Sequence, residues 1–182
     1  MPSLSENERN EILELARASL REFVYHGRLL SAIPRNGIFG QPRGVFVSLH
    51  VRGKLRGCIG VVEPREGLGE SIVHCAMSAA REDPRFAPIA AEEVEGAEIE
   101  VSVLSELEPI AAEEIEIGKH GLLIAQGTRR GLLLPQVAVE HRLDRESFLQ
   151  ETCHKAGLSR DAWKSGETKI FGFTCEIAGP GE

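Results

Sequence analysis

Cysteine is the side chain in this sequence best suited to covalent chemistry, and Cys58 has the least ordinary setting: Leu55-Arg56-Gly57-Cys58-Ile59-Gly60. A thiol is nucleophilic only as its thiolate, which a nearby arginine favours and apolar burial disfavours. Arg56 stands two positions before Cys58, on the same face of a regular strand. Gly57 and Gly60 flank the thiol, and glycine inside a strand marks a place where another group approaches the backbone. In one reading Cys58 is a nucleophile or redox thiol, with His120 as its base where the fold brings them together. The glycines then leave room for a substrate and turn N–H groups towards a developing oxyanion. In the other reading Cys58 is a strand cysteine in a tight packing site, because free cysteine is among the most frequently buried residues. The sequence leaves both open.

Other polar groups also read two ways. Asp83 and Arg85 flank Pro84. They form either an internal ion pair that fixes a helix end or an anion-binding arginine oriented by its carboxylate. His120, beside Gly121, is either an acid/base group or a loop residue that packs and caps. Glu98 and Glu100, alternating on a strand, are either paired acids or, as such a face usually is, simply solvated. Lys155 complements the dipole at a helix C-terminus. The four cysteines, Cys58, Cys75, Cys153 and Cys175, contain no C-x-x-C pair, and nothing with His120 or His154 has metal-ligand spacing. Neither a metal nor another cofactor is expected. The polar, acidic start of the chain does not read as an export signal, so the expectation is a cytoplasmic protein with reduced thiols.

Composition narrows the partners. The chain has 182 residues and a net charge of -7, with 42% hydrophobic and 27% charged residues. That suits one domain, or a domain with a subdomain, and a substantial core. Nucleic acid is not expected as a partner, since its binding needs a basic surface. Basic residues gather only at Arg129-Arg130 and from Arg142 to Arg145, enough for a small anionic ligand. No apolar run approaches the ~20 residues of a membrane span.

These side chains must be positioned by a handful of elements. Ser5 and Glu8 form a capping box at the start of a helix whose inner face is Ile12, Leu13, Ala16, Leu20, Phe23 and Val24. The Pro/Gly-rich stretch from Ile33 to Arg43 reads as a loop. Val45, Val47, Leu49 and Val51 alternate with polar and aromatic residues, and Arg52-Gly53 turns the chain back through the cysteine segment. A two-residue turn would set Cys58 with Val47, and a three-residue turn with Phe46 and Ser48. A helix over Leu68–Arg81 carries Leu68, Ile72, Cys75, Ala76 and Ala79 inward and ends at Asp83-Pro84. Ile99, Val101 and Val103 mark a strand. A second hairpin turns at Gly127-Thr128 and is closed by Leu134–Ala138. Asp144 caps a last helix that stops at Gly157, and Lys169–Ile177 reads as a terminal strand. Strands arriving as hairpins imply an α+β fold, with antiparallel or mixed sheets and flanking helices.

Several ordered segments together are similar to the AMMECR family, whose prokaryotic members are called AmmeMemoRadiSam system protein A. They are Leu55–Gly60, Asp83–Pro88, Val101–Leu104, His120-Gly121, Leu134–Ala138 and Lys155–Gly157, spanning Phe46 to Gly157. The resemblance implies a larger and a smaller subdomain with a cleft between them and the Leu55–Gly60 motif near it. It also implies a pathway shared with Memo-like and radical-SAM proteins, which are therefore candidate partners. Some relatives resemble Leu-Pro-Glu where this chain has Gln136, which speaks against a carboxylate base there. Two readings of function stand. One is an enzyme whose cleft site uses Cys58 and His120, with Arg56, Gly57, Gly60, Asp83 and Arg85 contacting substrate. The other is a non-catalytic binding or scaffold component of the same assembly.

Overall fold

The computed structural model describes residues 3–180. The chain folds as α+β with two four-stranded antiparallel sheets. It divides into two compact units, one running to Leu104 and resuming at Glu176, the other spanning Ser105–Cys175.

The first unit opens with helix α1 (Glu6–His26), held by the reciprocal Ser5–Glu8 capping box and ended by Gly27 at φ 67°. Strands β1 (Val45–Val51) and β2 (Lys54–Val61), helix α2 (Leu68–Arg81), the single turn α3 (Ala91–Val94) and strand β3 (Ala97–Leu104) follow. The sheet order is β2-β1-β3-β8, where β8 (Cys175–Ala178) is the last strand among the described residues. Val45, Val47 and Leu49 on β1 and Ile99, Val101 and Val103 on β3 point into one core with Ile12 and Leu20 of α1 and Leu68 and Ile72 of α2. The Pro/Gly-rich stretch expected as a loop contains a short 3-10 turn, Gly37–Gly40, because Ile38 and Phe39 are buried there. Cys75 lies in the core, and burial pushes its thiol up to about 12.

The second unit consists of β4 (Glu108–Pro109), β5 (Gly121–Gln126), β6 (Arg129–Leu133), α4 (Pro135–Glu140), α5 (Arg145–Lys155) and β7 (Lys169–Phe173), with sheet order β4-β7-β5-β6. Its core joins Leu122 and Ile124 of β5 to Phe148, Leu149 and Cys153 of α5. Asp144 accepts the Ser147 N–H at 2.8 Å as N-cap, and at the other end the Leu158 N–H reaches the Cys153 carbonyl past Gly157 in the left-handed region. Two expectations shift here. Leu134–Ala138 does not simply close the hairpin: Pro135 starts α4, since proline's fixed φ suits a first helical position. The terminal strand is two strands, β7 and β8, interrupted at Thr174, whose N–H is taken by the Ser105 hydroxyl at 2.9 Å.

Candidate functional site

The Arg52-Gly53 turn has both residues at positive φ, 53° and 71°, as a type I′ hairpin requires. That two-residue turn would place Cys58 opposite Val47, facing the core. The strands do not keep this register. His50 pairs with Leu55 but Leu49 pairs with Gly57, so Arg56 is the extra residue of a β-bulge. Cys58 consequently pairs with Ser48, on the sheet face turned away from α2. The thiol is half-buried, and the Ser48 Oγ lies 3.1 Å from its Sγ. Ser48 pairs on its other side with Glu100, so thiol, hydroxyl and carboxylate form a row across β2, β1 and β3. His50 sits two residues along β1 on the same face. Ser48 does not stand out by type or spacing; the bulged register brings it beside the thiol.

The peptide unit of Cys58 is gripped by the loop after α2. Asp83, 3% exposed, accepts the Cys58 N–H at 2.9 Å through Oδ2. The same carboxylate accepts the Arg85 N–H at 3.1 Å, Nε at 2.9 Å and Nη2 at 2.7 Å. Arg85 Nη2 also approaches the Cys58 carbonyl at 3.4 Å. Arg85 thus holds the Asp83 carboxyl well below the usual carboxylate range, and the Cys58 N–H adds to the effect. β2 is an edge strand, and the Asp83–Arg85 pair satisfies outward-facing groups that would otherwise be open. The first of the two sequence readings of this pair describes its geometry. It is an internal ion pair, and it leaves the arginine side chain largely exposed beside the cysteine.

Arg56 does something other than accompany the thiol. Its guanidinium makes a two-pronged pair with Glu93 at 2.9 and 2.8 Å and donates to the Ala87 carbonyl at 3.1 Å. Arg56 and the Ala90 N–H bring the Glu93 carboxyl down to about 2. Arg85 is the cation whose guanidinium reaches the Cys58 carbonyl.

The two glycines make room for the protein's own atoms. A Cβ on Gly57 would stand 1.9 Å from the Ala79 carbonyl oxygen of α2, and one on Gly60 would fall 2.3 Å from the Phe46 ring. Close packing accounts for both.

His120 belongs to the second unit, just before β5. Its Nδ1 accepts the Glu116 N–H at 3.0 Å, so the neutral ring carries its proton on Nε2. The ring lines a concavity of about 390 Å³ with Glu106, Glu108, Glu114, Glu116 and Phe173. The neighbouring Gly121 fits under the Phe173 ring, 2.2 Å from where a Cβ would be. Among the described residues, no group of three or more histidine, cysteine, aspartate or glutamate side chains is placed to hold a metal ion. No helix among them is long and apolar enough to cross a membrane.

Comparison with known proteins covers nearly all of this architecture. A protein of Methanosarcina acetivorans is 45% identical over 96% of this chain and 92% of its own length. One of Methanothermobacter thermautotrophicus is 41% identical, with 96% and 95% covered. The crystal structure of an uncharacterized protein from Pyrococcus horikoshii superposes with a TM-score of 0.88 at 37% identity, covering 96% of this chain and 92% of that one. The AMMECR1 family model matches residues 13–178. With the Cys58 segment, the Asp83–Arg85 clamp and both sheets inside that match, this chain belongs to the AMMECR1 family.

Proposed function

We propose that this protein is an enzyme whose reactive group is the Cys58 thiol and whose substrate is a small anion held by Arg85. The observation that carries the reading is the buried Asp83 carboxylate, which fixes both the Cys58 peptide and the arginine next to it. Such rigid placement of a half-exposed thiol matches the preorganisation that a reacting group needs. The Ser48 hydroxyl at 3.1 Å is positioned to stabilise a thiolate. His120, in the second unit, is a hydrogen-bond donor rather than a base, because its Nδ1 is occupied by the Glu116 N–H and Nε2 holds the proton. Likeness to prokaryotic family members supports placing the protein in a pathway with Memo-like and radical-SAM partners.

A second reading has its own observation. Gly57 and Gly60 are demanded by contacts with Ala79 and Phe46. The hexapeptide would then be architecture, and the protein a non-catalytic binding component of the assembly.

Alkylation of the native protein separates the two. The enzyme reading expects one fast-reacting thiol, lost in Cys58→Ser with the fold intact. It also expects iodoacetate to gain on iodoacetamide at that thiol, and Arg85→Gln to remove the gain. Uniformly slow thiols, with Cys58→Ser mainly lowering thermal stability, would leave the scaffold reading standing.

A further inference from the structure

We infer that the second unit carries a binding pocket for a small carboxylic acid with an apolar tail, independent of the Cys58 site. The pocket lies among β6, α4 and α5 and encloses about 400 Å³, within the ~300–1,000 Å³ typical of small-molecule sites. Its floor is Leu133, Val137 and Leu143. All three are half-buried, and Leu133 and Leu143 pack on the core of the unit. Gly131 lets the end of α5 lie directly on β6, since a Cβ there would stand 2.3 Å from the Ala156 nitrogen. That contact brings Lys155 to the pocket wall.

The mouth selects the charge of the ligand. His141, Glu151, His154 and Lys155 surround it. Glu151 is paired with Arg160, and the carboxyl is held below its usual range first by that arginine, then by the nearby His154 and His141. Both rings therefore sit close to a carboxylate that is already neutralised. The Lys155 side chain has no hydrogen bond or ion pair among the described residues. The partial negative charge at the C-terminus of α5 opposes an anion. However, the Cys153 and His154 carbonyls there are already taken by the N–H groups of Leu158 and Gly157. What remains for a ligand is an apolar floor beside the Lys155 ammonium. The sequence segments Leu134–Ala138 and Lys155–Gly157, which the Cys58 site does not use, supply Val137 and Lys155 to this pocket.

The test is a titration of the full chain with hexanoate, followed by amide chemical shifts. Saturable shifts are expected at Val137, Leu143 and Lys155. Affinity should rise from butanoate to hexanoate by up to about fourfold per methylene. Lys155→Gln should weaken hexanoate about threefold while leaving hexanol unchanged. Val137→Glu, which places a carboxylate on the half-exposed floor, should abolish hexanoate binding. Hexylamine binding as well as hexanoate, affinity independent of tail length, or no saturable shift at these residues at millimolar concentration would each overturn the inference. Because no arm of the test involves Cys58, its failure would leave the thiol reading untouched.

Discussion

Replacing Asp83 with asparagine keeps the side chain's shape while removing its charge and turning one acceptor oxygen into a donor. In the native protein the two oxygens accept four N–H bonds, one from Cys58 and three from Arg85. An amide NH₂ must therefore face arginine donors in either orientation, and in the Oδ2 position the Cys58 N–H as well, donor against donor. Hydrogen bonds to charged groups are worth ~1.5–3 kcal/mol each, and removing one partner of a buried ion pair costs ~3–5 kcal/mol. The Arg85 side chain is 57% exposed, so water replaces part of what it loses. The expected cost is about 2–3 kcal/mol, or roughly 5–10 °C in Tm for a chain of this length. The pH dependence has a definite sign. Because the folded pKa of Asp83 is lowered, its contribution is complete above the unfolded value near pH ~4 and fades as pH falls below it. The gap in Tm between wild type and Asp83→Asn should be constant near neutral pH and narrow in acid. Hydrogen exchange adds a local readout, since loss of protection at the Cys58 amide reports an NH₂ in the Oδ2 position and retained protection one in the Oδ1 position. A gap under ~1 °C at neutral pH or a gap that widens in acid would refute the clamp.

Two further substitutions probe the strand that carries the thiol. Gly57→Ala drives a Cβ to 1.9 Å from the Ala79 carbonyl, so a loss of about 3 kcal/mol is expected, at the top of the overpacking range; a urea midpoint equal to wild type would contradict the packing account. Arg52 holds φ 53° at the hairpin turn, a conformation costing a side-chain-bearing residue ~1 kcal/mol that asparagine tolerates better. Arg52→Asn should raise Tm by a few degrees, and a fall would show that the Arg52 side chain matters more than its backbone.

Much of the frame could be read from local signals. The Ser5–Glu8 box, the Asp144 cap and Gly157 each involve residues within a few positions of one another, so the sequence displays both partners at once. Inner stripes such as Leu68, Ile72, Cys75, Ala76 and Ala79 follow from helical periodicity, and all five are buried. What local signals miss is set by distant partners. Ile38 and Phe39 look like loop residues because the core that receives them is assembled elsewhere. The clamp on Cys58 joins positions 25 apart, and nothing in Asp83-Pro84-Arg85 says which peptide it grips.

Arg56 shows how one such distant contact decides the chemistry available to the site. A strand alternates its faces with period two, so a slip of one residue moves every later side chain to the other face. With the two-residue turn and no bulge, Cys58 would lie opposite Val47, which is fully buried, and would be a core thiol like Cys75. The bulge at Arg56 moves it opposite Ser48 instead. What secures that extra residue is the pairing of its guanidinium with Glu93 and the Ala87 carbonyl, both well beyond the hairpin. Arg56 therefore acts on Cys58 through register. Gly57 follows from the same slip, because it is the residue that then faces α2 at a distance no side chain could occupy. The order Arg-Gly-Cys thus encodes a bulge, a close helix contact and an outward thiol in three consecutive positions.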